Sequence, residues 1–293
     1  MESFRDHLQF LRFKATQLRI DMLHMAHRAQ GGYIGSALSA MEILVALYYG
    51  KLQDVSVMNY DSAKPGWEEQ DYFVLSKGHA APAWYALLAD LGFFDRSELD
   101  HFRQVGGLLQ SHPLKRIPGI VLSSGTPGQG FASSVGLAMA LKAERSLNRV
   151  FCLLGDGELQ EGQIWEAAMA AAHYKLDNFI SLVDVNGLQS DAQTRGIMSV
   201  DPIADKFESF GWKTIPVHDG HDFEELFYAL ERAFDIQRRP KVILARTIKG
   251  KGVSFTENSP YYNNSALSDQ EMAEALPQLQ AQLEALQSTG LTL

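Results

Sequence analysis

The sequence predicts an α/β fold, a mostly parallel sheet with helices on both faces. Three observations carry that expectation. Short, almost continuously apolar runs recur at 72–75, 150–154, 179–185 and 242–245, with 212–217 as a fifth; strands covered on both faces read this way. Between them, at about 79–91, 130–147, 159–175, 201–210 and 222–235, the pattern turns helical. Strand and helix therefore alternate along the chain, as in parallel strands joined by helical crossovers.

Taken in order, residues 4–29 place Leu8, Leu11, Ala15, Leu18, Met22 and Met25 three and four positions apart, predicting one long amphipathic helix. Gly31-Gly32-Tyr33-Ile34-Gly35 breaks it, and a second helix is expected from about 38 to 49. Asp201 followed by Pro202 reads as a helix cap and a first helical position. Asp222 with Glu225, and Ser268 with Glu271, read as capping boxes. Residues 102–130 and 249–267 are rich in Gly, Ser, Pro and Asn, and loops of that length are usually functional or disordered. The tail carries Leu276, Leu279, Leu283 and Leu286 at helical spacing, and Pro277 is expected to split it into two short helices. The expectation is a single domain over 1–293, with its core at about 4–260 and a loop and helical tail at 261–293.

Composition narrows the function. The chain has 293 residues, 46% hydrophobic and 21% charged, an ordinary soluble composition with enough apolar material for a large core. A net charge of −9 argues against nucleic acid, whose phosphates call for basic patches. The single cysteine, Cys152, excludes an internal disulfide and reads as a small buried apolar residue. Met1-Glu2-Ser3-Phe4-Arg5-Asp6 lacks the layout of a secretion signal, and no apolar run approaches the ~20 residues that span a bilayer. The expected location is cytoplasmic, with no membrane partner.

The chemistry concentrates at LLGDGELQEG, 153–162, directly after the apolar run Val150-Phe151-Cys152. Asp156 stands between Gly155 and Gly157 just past a strand end, and Asn186-Gly187 ends the next strand. One strand–helix–strand crossover often places its two strands side by side, ~4.8 Å apart. Asp156 and Asn186 would then share the crevice beyond the carboxyl ends of the strands, where open α/β sheets bind ligands. A carboxylate and an amide oxygen suit Mg²⁺, which takes few protein ligands and completes its shell with phosphate oxygens and water. Gly155 and Gly157 would let the backbone approach a diphosphate, and the helix opening near Glu158 would offer N–H groups to it. Taken alone, Gly-Asp-Gly suits a tight turn with a helix cap equally well; the Asn-Gly at the next strand end favours the metal site. Among the histidines, His79 opens a helix directly after a strand and is a crevice candidate. His7, His24, His27, His101, His173, His218 and His221 read as structural.

The sequence here resembles the thiamine diphosphate enzymes, whose cofactor motif is Gly-Asp-Gly followed by an Asn at the next strand end. Within them it is similar to the transketolases. The segments DYFVLSKGHAAPAWYALL (71–88), SHP (111–113), SSGTPGQGFASSVGLAMA (123–140), LLGDGELQEGQIWEAAMAAAHY (153–174), DVNGLQSD (184–191) and ARTIKGKGVSF (245–255) match in the family's order, covering about 30–260. The resemblance implies thiamine diphosphate and Mg²⁺, the cation held by Asp156, Asn186 and the backbone carbonyl of Leu188. It places His79, Gly125, Thr126, Pro127, Gly157 and Asn186 against the cofactor, and His112 toward substrate. It matches Glu161 and Glu166 to two glutamates that pass a proton between two active sites across a dimer. Transfer of a two-carbon ketol unit from a ketose to an aldose acceptor is the implied activity.

Two departures qualify the resemblance. A complete transketolase continues into a pyrimidine-binding domain, so this chain resembles the N-terminal, diphosphate-binding subunit of a split transketolase. The expected partner is a second polypeptide carrying that domain, in a heterotetramer. Family members also carry histidine at the positions of Tyr33 and Asn263, both expected near donor substrate or diphosphate. A phenol cannot shuttle protons at neutral pH as imidazole does, so an altered sugar substrate is expected. The alternatives are the α subunit of a 2-oxoacid dehydrogenase, which shares the metal motif, and a non-catalytic subunit that only binds cofactor.

Overall fold

A computed structural model describes residues 4–190 and 192–288. Residues 1–3, part of the reading of the amino terminus, Asp191, the last residue of one matched segment, and residues 289–293 of the tail lie outside the described residues. Five strands form one sheet: β1 (Tyr72–Leu75), β2 (Val150–Gly155), β3 (Phe179–Val185), β4 (Lys213–Val217) and β5 (Lys241–Arg246). Their order is β1-β2-β3-β5-β4, and every pairing is parallel. Side chains alternate between faces along each strand. Phe73, Leu75, Phe151 and Leu153 enter one core, while Val74, Val150, Cys152 and Leu154 enter the other. The first core also takes helices α1 (Phe4–Arg28), α2 (Ile34–Ser39), α3 (Met41–Tyr48) and α4 (Ala81–Asp90). The second is closed by α5 (Gln129–Ala143) and α6 (Gly162–His173).

All six apolar positions expected to anchor α1 are buried. The second expected helix instead starts earlier and breaks into α2 and α3 at Ala40. Every residue of both helices is buried, and a helix buried all round loses the one-sided periodicity that marks its ends in sequence. The helix expected from 159 is a short turn, Gly157–Gln160, and then α6, separated by Glu161 in extended conformation.

After α7 (Thr194–Met198), α8 (Ile203–Ser209) corrects the cap assigned to Asp201. Pro202 is the residue preceding the helix, extended and joined to Asp201 by a cis bond. At α9 (Phe223–Asp235) the Asp222 carboxylate accepts the Glu224 N–H at 2.7 Å. Glu225 does not close the expected box; its carboxylate accepts the His218 N–H at 2.7 Å and the Asp219 N–H at 3.2 Å. The Ser268–Glu271 box is present, with Glu271 accepting the Ser268 N–H at 2.8 Å and Ser268 Oγ accepting the Glu271 N–H at 3.3 Å. It opens α10 (Asp269–Ser288), a continuous helix that carries Pro277 inside it rather than splitting there. Met272, Ala275 and Leu279 are buried in the same core as α1, and tertiary packing of this kind offsets the lost backbone bond. Among the described residues no helix is long and apolar enough to cross a membrane.

Candidate functional site

The register of the two central strands sets the site. Gly155 of β2 pairs with Asp184 of β3, so Asp156 and Asn186 leave the sheet at neighbouring points. Asp156 is buried. Its carboxylate accepts the Gly157 N–H at 2.8 Å, the Gly187 N–H at 2.7 Å and, more distantly, the Thr194 hydroxyl at 3.5 Å. Gly187 takes a φ of +73° in the exit loop of β3, a conformation natural to glycine. Asn186 accepts the Leu188 N–H at 3.1 Å through Oδ1 and donates from Nδ2 to Asp184 Oδ2 at 3.2 Å.

These groups open onto a cavity of about 360 Å³ at the carboxyl ends of β1, β2 and β3. Asp156, Asn186 and Leu188, the expected cation ligands, line it together. Gly125, Pro127, Gly155, Gly157 and Glu158 line it as well, as do Tyr33, His79, His112, Glu161 and Asn263. Of the residues expected against the cofactor, Thr126 does not line it and is exposed between Gly125 and Pro127; Glu166, expected at a proton path across a dimer, is exposed on α6.

The Glu158 carboxylate is engaged with the scaffold. It accepts the Ser76 hydroxyl, the Gly128 N–H at 2.7 Å and the Gly155 N–H at 3.2 Å, and burial pushes its carboxyl upward from the ordinary range. The N–H groups of the two glycines are themselves occupied, Gly155 by Glu158 and Gly157 by Asp156. What the glycines contribute is missing bulk. A Cβ on Gly155 would meet nothing within 4 Å, in the open cavity, whereas one on Gly157 would stand 2.7 Å from Gln189 Cβ.

The electrostatics include groups the sequence reading missed. Asp184 is fully buried and ion-paired to Lys77; it also accepts Ser39 Oγ at 2.6 Å and the Thr247 hydroxyl. Burial opposes its ionisation, but Lys77 and the two hydroxyls hold its carboxyl below the usual range. A lone acid inside the apolar run FISLVDV was the available signal. Asp156 has no comparable partner, and no described lysine, arginine or histidine is ion-paired with it. Burial and the nearby Asp184 charge push its carboxyl up to about 6 against the pull of two backbone N–H groups. His79 is pushed down to about 3 by burial and by Lys77 and Lys249, so it is neutral at pH 7, and burial also lowers His112. The Tyr33 ring stands edge-on to His79 at 5.4 Å and tilted to His112 at 6.1 Å. Lys249, also missed, lines the cavity and donates from Nζ to Asn263 Oδ1 at 2.9 Å.

A desolvated carboxylate short of cationic partners, an amide oxygen beside it and a cavity left open by Gly155 fit a hard divalent cation bridging to a ligand's phosphate oxygens. Lys77 and Lys249 add positive charge along the same cavity.

Comparison with known proteins gives the family. Residues 12–284 match the family described as transketolase, thiamine diphosphate binding domain. The chain is 39% identical over 271 residues to the 6-deoxy-6-sulfo-D-fructose transketolase subunit SqwG of Clostridium sp. (strain MSTE9), covering 92% of this chain and 96% of that subunit. It is 37% identical over 269 residues to one subunit of the apulose-4-phosphate transketolase of Actinobacillus succinogenes, covering 91% and 94%. The fold superposes on the transketolase of Campylobacter jejuni with a TM-score of 0.86 at 30% identity, over 95% of this chain but 45% of that enzyme. On its sequence, its parallel sheet and the cavity at the strand ends, this chain belongs to the transketolase family, as its thiamine diphosphate-binding domain.

Proposed function

We propose that the chain is the diphosphate-binding subunit of a two-subunit transketolase that moves a two-carbon ketol unit from a ketose to an aldose. The observation that carries this reading is the juxtaposition of Asp156, buried without a cationic partner, and Asn186 on one cavity wall. Two relatives of matching length are named as transketolase subunits, which supports a partner chain carrying the pyrimidine-binding domain, in a heterotetramer.

Asp156, Asn186 and the Leu188 carbonyl would hold Mg²⁺, and the space left by Gly155 would admit the diphosphate beside it. Gly125 and Pro127 would shape the adjoining wall. Bound thiamine diphosphate supplies the nucleophilic carbon that breaks and remakes a carbon–carbon bond. The chain's own residues orient, neutralise and exchange protons. Lys77 and Lys249 offset ligand charge in a low-dielectric pocket, where such interactions are strong. His79, neutral at pH 7, can donate from one ring nitrogen and accept at the other toward substrate oxygens. His112 stands beside it for the same role. Glu161 and Glu166, both exposed at the start of α6, would face a partner and exchange a proton with it.

Tyr33 bears on which sugar is used. Its ring borders both histidines and fills space at the cavity wall, favouring a ketose other than the ordinary ketose phosphates. Tyr33→His with Asn263→His should raise turnover of those; no gain would remove this part of the proposal.

The central test combines the chain with its partner polypeptide and compares ketol transfer with 2-oxoacid decarboxylation. Transfer is the expected result. Decarboxylation would identify a dehydrogenase α subunit instead, and cofactor binding without turnover of either kind would identify a non-catalytic subunit.

A further inference from the structure

His221 read as a structural histidine in the sequence, yet it lies in a buried polar group directly behind the site. Its side chain is 7% exposed, that of Glu42 9% and that of Arg19 5%. Glu42 Oε2 sits 2.8 Å from His221 Nδ1 and 2.7 Å from Arg19 Nη2. The Ile248 N–H donates to His221 Nε2 at 2.8 Å. A backbone donor at Nε2 fixes the tautomer, so the ring proton is on Nδ1 and is given to Glu42. Burial opposes ionisation of Glu42, but Arg19 and His221 hold its carboxyl down to about 2.

The group grips one short segment at two backbone points. His221 takes the Ile248 N–H, and Arg19 Nε donates to the Lys251 carbonyl at 3.0 Å. Lys249 lies between these points, and its stem runs past Gly35, where an added Cβ would stand 3.3 Å from both Cγ and Cε of the lysine. The lysine ammonium reaches the cavity beside Asn263. Gly250 inside the segment takes a φ of +82°, so the segment is not an extension of β5. It closes its own turn, the Lys251 N–H donating to the Ile248 carbonyl at 3.2 Å. It is also tied through the Gly250 N–H to the Gly35 carbonyl at 2.9 Å and through the Asn258 N–H to the Lys249 carbonyl at 2.8 Å. That leaves His221 and Arg19 as the side chains that hold its two ends.

We infer that His221, backed by Glu42 and Arg19, is a positioning residue that holds the 248–251 backbone so that Lys249 presents its ammonium to the anionic end of the bound cofactor. This rests on the proposed diphosphate site. It adds that affinity at the site depends on a hydrogen bond made outside the cavity.

Two substitutions separate the bond to Ile248 from the bond to Glu42. The amide of His221→Gln extends as far as Nε2 and can still accept from Ile248. The amide of His221→Asn reaches only as far as Nδ1, keeping Glu42 but losing Ile248. Thiamine diphosphate with Mg²⁺ is titrated calorimetrically into each variant combined with the partner polypeptide, alongside Lys249→Met. The expected result is a Kd within about threefold of the native value for His221→Gln and about tenfold or more weaker for His221→Asn, in the range of lost supporting contacts at a metal or ligand site. The KM for cofactor should rise in parallel, with kcat at saturating cofactor within about twofold. Equal affinities for the Asn and Gln variants, with Lys249→Met weakened, would overturn the positioning role. Native affinity in Lys249→Met would instead overturn the reading of the site. Either polar variant retains a side-chain donor for Glu42, and a melting curve beside each titration confirms that the comparison is made between folded proteins.

Discussion

Asp156 directly follows β2 and Asp184 lies in the neighbouring β3, one register step away; both are buried, and their surroundings treat the two carboxylates in opposite ways. Asp184 has a lysine, two hydroxyls and an amide around it, and its carboxyl is held low. Asp156 has two backbone N–H groups, a distant hydroxyl and the repulsion of Asp184, and its carboxyl is pushed up to about 6. The protein completes one charge with an ion pair, while the other, though drawn by the same Lys77 at longer range, has no ion-pair partner among the described residues. The completed one also bears on the open one, because Asn186 donates its Nδ2 to Asp184, which turns its oxygen away from that carboxylate, the orientation that the proposed cation would need.

The contrast can be broken from either side. The largest effect is expected at the compensated end. Lys77→Met leaves Asp184 buried and unpaired, which costs about 3–5 kcal/mol, read as a lowered denaturant midpoint in the empty chain. A small change there would mean that Asp184 is not held charged. Asp156→Ala should do the reverse: the empty chain should unfold at the same denaturant concentration or a higher one, while Mg²⁺-dependent cofactor affinity falls by more than about a hundredfold, beyond the loss of a supporting contact. Destabilisation of the empty chain would erase the distinction.

The pH dependence is smaller and sharpens the same point. The folded, empty chain keeps a proton on Asp156 up to about 6 while the unfolded chain releases it at the ordinary carboxylate value. This contribution to stability is therefore present at low pH and lost as pH rises through about 6. His79, at about 3, has the opposite slope: its contribution is complete above the ordinary imidazole range and is lost as pH falls toward 3. Cation binding needs the ionised Asp156, so affinity should drop by about tenfold per pH unit below 6. Melting temperatures with and without Mg²⁺ and cofactor, from pH 5 to 8, should show an increment that shrinks on the acid side. An increment constant across that range would place the cation elsewhere.

What the sequence could show follows from how far apart the partners are along the chain. Asp156 and Asn186 were legible because one crossover separates them and adjacent strands bring both to the same crevice. The pairing of Lys77 with Asp184 spans 107 residues, and only the β1-β2-β3 order, which no local pattern encodes, makes it visible. The side-chain bonds of Glu158 were hidden for the same reason, since Ser76 and Gly128 come to it from other strand and helix ends. Thr126 was carried by the resemblance alone, and the fold of this chain places it outside the cavity lining. The capping box at Ser268 was read correctly from four residues, whereas that at Glu225 failed because the β4–α9 loop offered the glutamate two other N–H groups.

Glu158 has a thermodynamic consequence. One carboxylate fastens the end of β1, the entrance to α5 and the end of β2, so these three walls of the cradle are assembled during folding and not on arrival of a guest. A preorganised receptor loses little chain entropy on association. The heat capacity change on loading should accordingly match a modest burial of surface and lack the large negative value of a segment that folds as it binds.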